Sequence, residues 1–196
     1  MADIKAIIKN NKDDIIKPVA VLLAICIIIP LALSVTNKIT AEKIARLETE
    51  NSNKNMALLV KAESYKRCET NGIVYYAAVN GGNTAAYIFT ESAKGYGGDV
   101  SVMTAVNTDG TVSGTAILDV SNETPGLGQN AAKEGFYSQF KGLKKGISLL
   151  KNGADGEKNE IYAVTGATIT SAAVTRAVNA ALDDFDKVRE AESGEE

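Results

Sequence analysis

The hydrophobic pattern divides the chain into three unlike stretches. From Lys17 to Lys38 no charged residue interrupts the run "PVAVLLAICIIIPLALSVTN". Its most apolar part, Val19 to Val35, approaches the ~20 residues a helix needs to cross ~30 Å of hydrocarbon. Pro30 is compatible with a kinked span, because neighbouring groups can satisfy the freed carbonyl. The run predicts a transmembrane helix over 18–37 after a short segment, 1–17. The competing expectation is a cleaved signal peptide processed at Ala32-Leu33-Ser34. A retained anchor fits better, because the charged region before the run is long and helix-forming sequence follows it directly. Residues 38–64, with "ITAEKIARLETENSNKNMALL" at their centre, are rich in helix formers but have an irregular apolar stripe. They predict a helical stalk that starts at a Thr40 N-cap.

From Gly72 onward short β-rich runs alternate with turn residues. Ile73–Val79 and Thr84–Thr90 flank Asn80-Gly81-Gly82-Asn83, a hairpin signal. Asp99–Asn107 and Thr111–Val120 flank Thr108-Asp109-Gly110 and predict a second hairpin. Val100, Val102 and Val106 share one face of their strand, with Ser101 and Met103 on the other, so the sheet is expected to pack on one side. A short helix is predicted over 131–140, then a polar loop near 151–159. Val174, Val178, Leu182 and Phe185 recur at helical spacing and predict a helix whose stripe is core. An acidic tail, 189–196, is expected to fray. The fold class is therefore α+β: an antiparallel sheet packed with helices over 65–188, preceded by a single transmembrane helix and a helical stalk.

Composition narrows the chemistry. With 196 residues and the anchor set aside, roughly 130–150 remain for one ordinary core. A formal charge of −3 leaves no basic footprint, so nucleic acid is not an expected partner, whereas the lipid bilayer is. The chain has no histidine, which removes Ser-His-Asp and Cys-His sites and His-ligated metals. Cys26 and Cys68 stand in unrelated contexts with no metal or cluster spacing, and no metal site is expected. Four lysines precede the apolar run, while Lys38, Lys43 and Arg46 follow it, so the positive-inside bias is slight. Long domains translocate largely regardless of such counts, and an inside amino terminus with the domain outside is the expected orientation.

Three motifs remain. "KGYGGDV", Lys94 to Val100, reads as a turn before a strand or a place where backbone approaches a ligand closely. "SNETPGLGQN", Ser121 to Asn130, follows a strand and reads equally as a Pro-Gly turn or a ligand loop. "AVTGATITS", Ala163 to Ser171, gathers four hydroxyls at a helix start. Thr170 or Ser171 suffices as an N-cap, but the remaining small residues suit an anion at the helix amino end, with a phosphate beside Thr168.

"TGAT" at Thr165–Thr168, "ETPGLG" at Glu123–Gly128 and "GYGG" at Gly95–Gly98 together resemble the FMN-binding domain family. With the anchor and the chain length, the likeness is to its membrane-bound members, the G subunits of Rnf ion-translocating electron-transport complexes, and it covers essentially the whole chain. The resemblance implies FMN joined by a phosphoester to Thr168. It places Thr165, Gly166, Ala167 and Thr170 around the phosphate and Glu123, Thr124, Gly126, Leu127 and Gly128 around the flavin, with Ile169 and Tyr96 also in contact with the cofactor. It also implies a flavin transferase for maturation, the other Rnf subunits as partners, and electron relay inside a ferredoxin:NAD+ oxidoreductase that pumps Na+ or H+. Nothing in it makes any residue catalytic in turnover. Tyr162 stands where the family commonly carries an aspartate, six residues before Thr168. Two alternatives remain open: a C subunit of a Na+-pumping NADH:quinone oxidoreductase or a stand-alone flavoprotein of the same kind, and an unflavinylated binding or assembly module.

Overall fold

The computed structural model describes residues 12–150 and 159–194. The predicted loop near 151–159 lies outside them except for Asn159, as do the first eleven residues of the chain. The chain divides into two compact units, Met1–Asn51 and Ser52–Glu196.

Helix α1, Lys12–Leu59, is uninterrupted and contains both Pro18 and Pro30. Its segment Ile16–Ala41 is long and apolar enough to cross a membrane. At 1.5 Å per residue its 26 residues cover about 39 Å, more than the hydrocarbon core requires. Val21, Ile27, Leu31 and Leu33 are exposed, the surface a lipid-facing helix presents. The predicted cap at Thr40 does not form. Thr40 lies inside the helix, and its hydroxyl bonds back to the Thr36 carbonyl at 2.8 Å, as Thr36 does to Ala32.

In the second unit, five strands form an antiparallel meander in chain order: β1 (Ser64–Thr70), β2 (Ile73–Asn80), β3 (Asn83–Lys94), β4 (Asp99–Asn107) and β5 (Val112–Asp119). Asn71-Gly72 and Gly81-Gly82 turn the first two hairpins with positive φ at both positions, the geometry that matches strand twist. Strand β1 escapes sequence reading because "SYKRCET" is polar and largely exposed at a sheet edge. Cys68 within it is half-buried and unpaired with another cysteine.

The sheet is covered on both faces rather than one. Helix α3, Thr168–Gly194, lays Val174, Val178, Leu182, Phe185 and Val188 on Tyr87, Phe89, Val100, Val102 and Val106. On the opposite face Met56, from the last turns of α1, packs with Ala78, Ala86, Ile88, Met103 and Ala105. Met103, expected on the outer face, is fully buried there beside Met56. The predicted helix over 131–140 is broken into a 3-10 turn (Gly128–Ala132), the single α turn α2 (Glu134–Tyr137) and a second 3-10 turn (Ser138–Phe140). Lys133 is extended between the first two, which ends one turn before the next begins. A short parallel pair, β6 (Ser148–Leu150) with β7 (Glu160–Tyr162), stands apart from the main sheet. The tail does not fray at 189: α3 continues to Gly194, and the Glu192 carboxylate accepts hydrogen bonds from Tyr87 (2.7 Å) and Tyr75 (3.3 Å).

Candidate functional site

Two turns of the same design build the site. In Thr124-Pro125-Gly126-Leu127 the Leu127 amide bonds the Thr124 carbonyl at 3.1 Å, and Gly126 has φ +76°. Proline second and a left-handed glycine third make a type II turn. In Val164-Thr165-Gly166-Ala167 the Ala167 amide bonds Val164 at 2.9 Å, again with Gly166 at φ +76°. The turns meet: a Cβ on Gly166 would lie 3.0 Å from Leu127 Cδ2.

The second turn delivers the chain into α3. The residue before the helix is Ala167, which has no capping oxygen, so neither Thr170 nor Ser171 serves as an N-cap. Among the described residues no acceptor takes the amides of Thr168, Ile169 or Thr170. A helix opening with unmet donors and the positive end of its dipole is an anion site. Thr170 and Ser171 are buried and already committed. Thr170 donates to Glu123 Oε2 at 2.5 Å; Ser171 donates to the Ala167 carbonyl and accepts the Val164 amide. Thr168 is half-buried with no such bond among the described residues, and its hydroxyl remains available.

Glu123 is 2% exposed, yet has no charged partner among the described residues. The "GYGG" loop serves it: the Gly97 amide donates at 3.0 Å, with further support from the amides of Tyr96 and Gly98. Burial pushes this carboxyl up, but the Thr170 hydroxyl and the three amides outweigh it and hold the group below the usual carboxylate range. The glycines are needed for contact. A Cβ on Gly95 would sit 2.3 Å from Glu123 Oε1, one on Gly97 1.9 Å from the Asn122 carbonyl, and one on Gly128 2.7 Å from Glu123 Oε2.

Between these segments lies a cavity of about 600 Å³. Its walls are Glu123, Thr124, Leu127 and Gly128 on one side and Gly166 to Thr170 on the other, with Tyr96 at the rim. Tyr96, Leu127 and Ile169 present exposed apolar surface at the opening. Gly126 stays off the wall and only makes its turn. Thr165 faces a neighbouring groove with Gln139 and Tyr162, where Gln139 bonds both the amide and the carbonyl of Tyr162. The anchoring of Glu123 by Gly97 and the clamp at Gln139 escape sequence reading, since neither partner carries a motif that names the other. The volume, the unmet amides beside a threonine hydroxyl and the apolar rim all fit a flavin mononucleotide.

The fold and site define a class: residues 95–183 match the model of the FMN-binding domain. The chain is 38% identical to the G subunit of the proton-translocating ferredoxin:NAD(+) oxidoreductase complex of Clostridium ljungdahlii, over 81% of this chain and 84% of that one. It is 31% identical to the Na(+)-translocating counterpart of Acetobacterium woodii, over 84% and 88%. The chain therefore belongs to the G subunits of the Rnf ion-translocating oxidoreductase complexes. The crystal structure of Shewanella oneidensis NqrC shares the fold, with a TM-score of 0.51 and 22% identity over 61% of this chain and 64% of that one. The C subunit of the Na(+)-translocating NADH-quinone reductase of Parabacteroides distasonis matches with a TM-score of 0.50 and 27% identity, over 58% and 61%. The chain spans less than two thirds of the length of either structure.

Proposed function

We propose that this chain is the membrane-anchored electron-relay subunit of an Rnf-type ferredoxin:NAD+ oxidoreductase and carries FMN through a phosphoester to Thr168. One observation carries the attachment point. Of the four hydroxyls around the start of α3, Thr170 and Ser171 are buried and bonded, Thr165 faces away from the cavity, and Thr168 alone among them is both on the wall and uncommitted. The unmet amides of Thr168, Ile169 and Thr170 would take the phosphate oxygens, and Gly166 and Ala167 keep bulk away from it. Leu127, Ile169 and Tyr96 would bear on the ring and shed water from it. FMN so held accepts and passes on electrons, its ring unmodified because only the phosphate tail is bonded. The chain has no nicotinamide fingerprint and no cluster-binding cysteines, so those centres belong to other subunits. A flavin transferase makes the bond; the anchor holds the domain at the cytoplasmic membrane, on the extracytoplasmic side.

The test is the intact mass of full-length protein purified from membranes after expression with a flavin transferase, beside Thr168→Ala. The expected result is the mass of FMN less one water on the wild type and none on the variant. Flavin on both would move the tether elsewhere. Flavin on neither would favour a binding or assembly module, with Tyr162 as the departure responsible.

A further inference from the structure

A buried carboxylate on the wall of a redox site has a consequence beyond holding a loop. Glu123 accepts from the Thr170 hydroxyl and from backbone amides of the Gly95–Gly98 loop. Backbone amides can only donate, and together with the Thr170 hydroxyl they favour the ionised carboxylate over its protonated form. No ion pair to it stands among the described residues. Its charge is thus satisfied by dipoles but not cancelled, and it is shielded from water at 2% exposure.

We propose that Glu123 is an electrostatic tuning residue: its fixed negative charge on the cavity wall lowers the reduction potential of the bound flavin. The inference rests on the FMN reading above. When the ring takes two electrons from a donor centre and one proton from water, it gains one net negative charge, and a fixed carboxylate nearby opposes that gain. At about 10 Å across an effective dielectric near 20, one unit charge changes such an equilibrium on the order of tenfold. For a two-electron couple that is about 30 mV. Placing the charge away from bulk water, where salt screens it less, keeps more of the effect at physiological ionic strength.

The experiment is a spectroelectrochemical titration of the full-length flavinylated chain against Glu123→Gln, with dithionite as reductant (oxidised to sulfite) and mediator dyes. Glutamine keeps the size and can still accept the Gly97 amide, while the charge is gone. The expected result is a positive shift in midpoint potential of about 30 mV, a tenfold change. Thr170→Val is the second variant: it retains the charge and removes the hydroxyl that screens it, so its potential moves negative. An unchanged or lower potential in Glu123→Gln overturns the proposal, as does a folded Glu123→Gln chain that takes up no flavin. Should Glu123→Gln not fold, an unshifted or positive potential in Thr170→Val overturns it. Absence of flavin from the wild type by intact mass would instead sink the FMN reading itself.

Discussion

At the residue scale the site is a matter of where side chains are forbidden. Gly128 and Gly126 lie two positions apart in one loop but are required for different reasons. A Cβ on Gly128 would press on Glu123 Oε2 at 2.7 Å and Thr170 Oγ1 at 2.9 Å, whereas Gly126 has open space and a left-handed φ of +76°. Gly128→Ala should therefore destabilise by overpacking, roughly 1–3 kcal/mol, and also reduce flavin content. Gly126→Ala should cost about 1–2 kcal/mol of backbone strain with flavin content retained. Thermal melts and the absorbance ratio of flavin to protein separate the two. The hydroxyls were legible as a group in "AVTGATITS"; which of them is spoken for was not. The partner of Thr170 is 47 residues away, and that of Ser171 lies in the turn before the helix. The same holds for "GYGG", whose spacing announces close approach to something without revealing that the something is a carboxylate 26 residues on.

At the element scale, periodicity served best where one element has one buried face. The stripe on α3 and the Gly81-Gly82 hairpin were readable because each is fixed by neighbours in sequence. Strand β1 and the β6–β7 pair were not, being short or polar and defined by pairing with distant chain. The end of α3 is the clearest departure, since an acidic tail looks frayed until its acceptor role is visible. Burial, and then the hydrogen bond to Glu192, raise the pKa of Tyr87, and burial likewise raises that of Tyr75. Both phenols therefore remain protonated donors to Glu192. A phenol whose folded pKa lies above its unfolded value near 10 stabilises the fold below that pH and loses the contribution as pH rises further. The melting temperature should accordingly fall above about pH 10, and should fall less steeply in a Tyr87→Phe variant that starts from lower stability.

At the scale of the whole molecule, the unit Ser52–Glu196 has two cores, and the smaller depends on one methionine of α1. Met56 is 1% exposed against a floor of alanines that cannot expand to fill its place. Met56→Ala should cost about 2–5 kcal/mol in denaturant melts, and a chain begun after Leu59 should lose at least as much. In the sequence those residues read only as a stalk, because the apolar stripe to which Met56 belongs is irregular. The convergence at Glu123 has a consequence of its own for how the protein matures. Gly97, Glu123 and Thr170 become neighbours only when chain segments 26 and 47 residues apart have met, and the entropy of closing those loops is paid before the contacts reward it. On the proposed attachment, the Thr168 hydroxyl acquires its pocket only in the finished domain. If FMN is installed there as proposed, the step doubles as an inspection: only a chain that has completed its fold would become yellow.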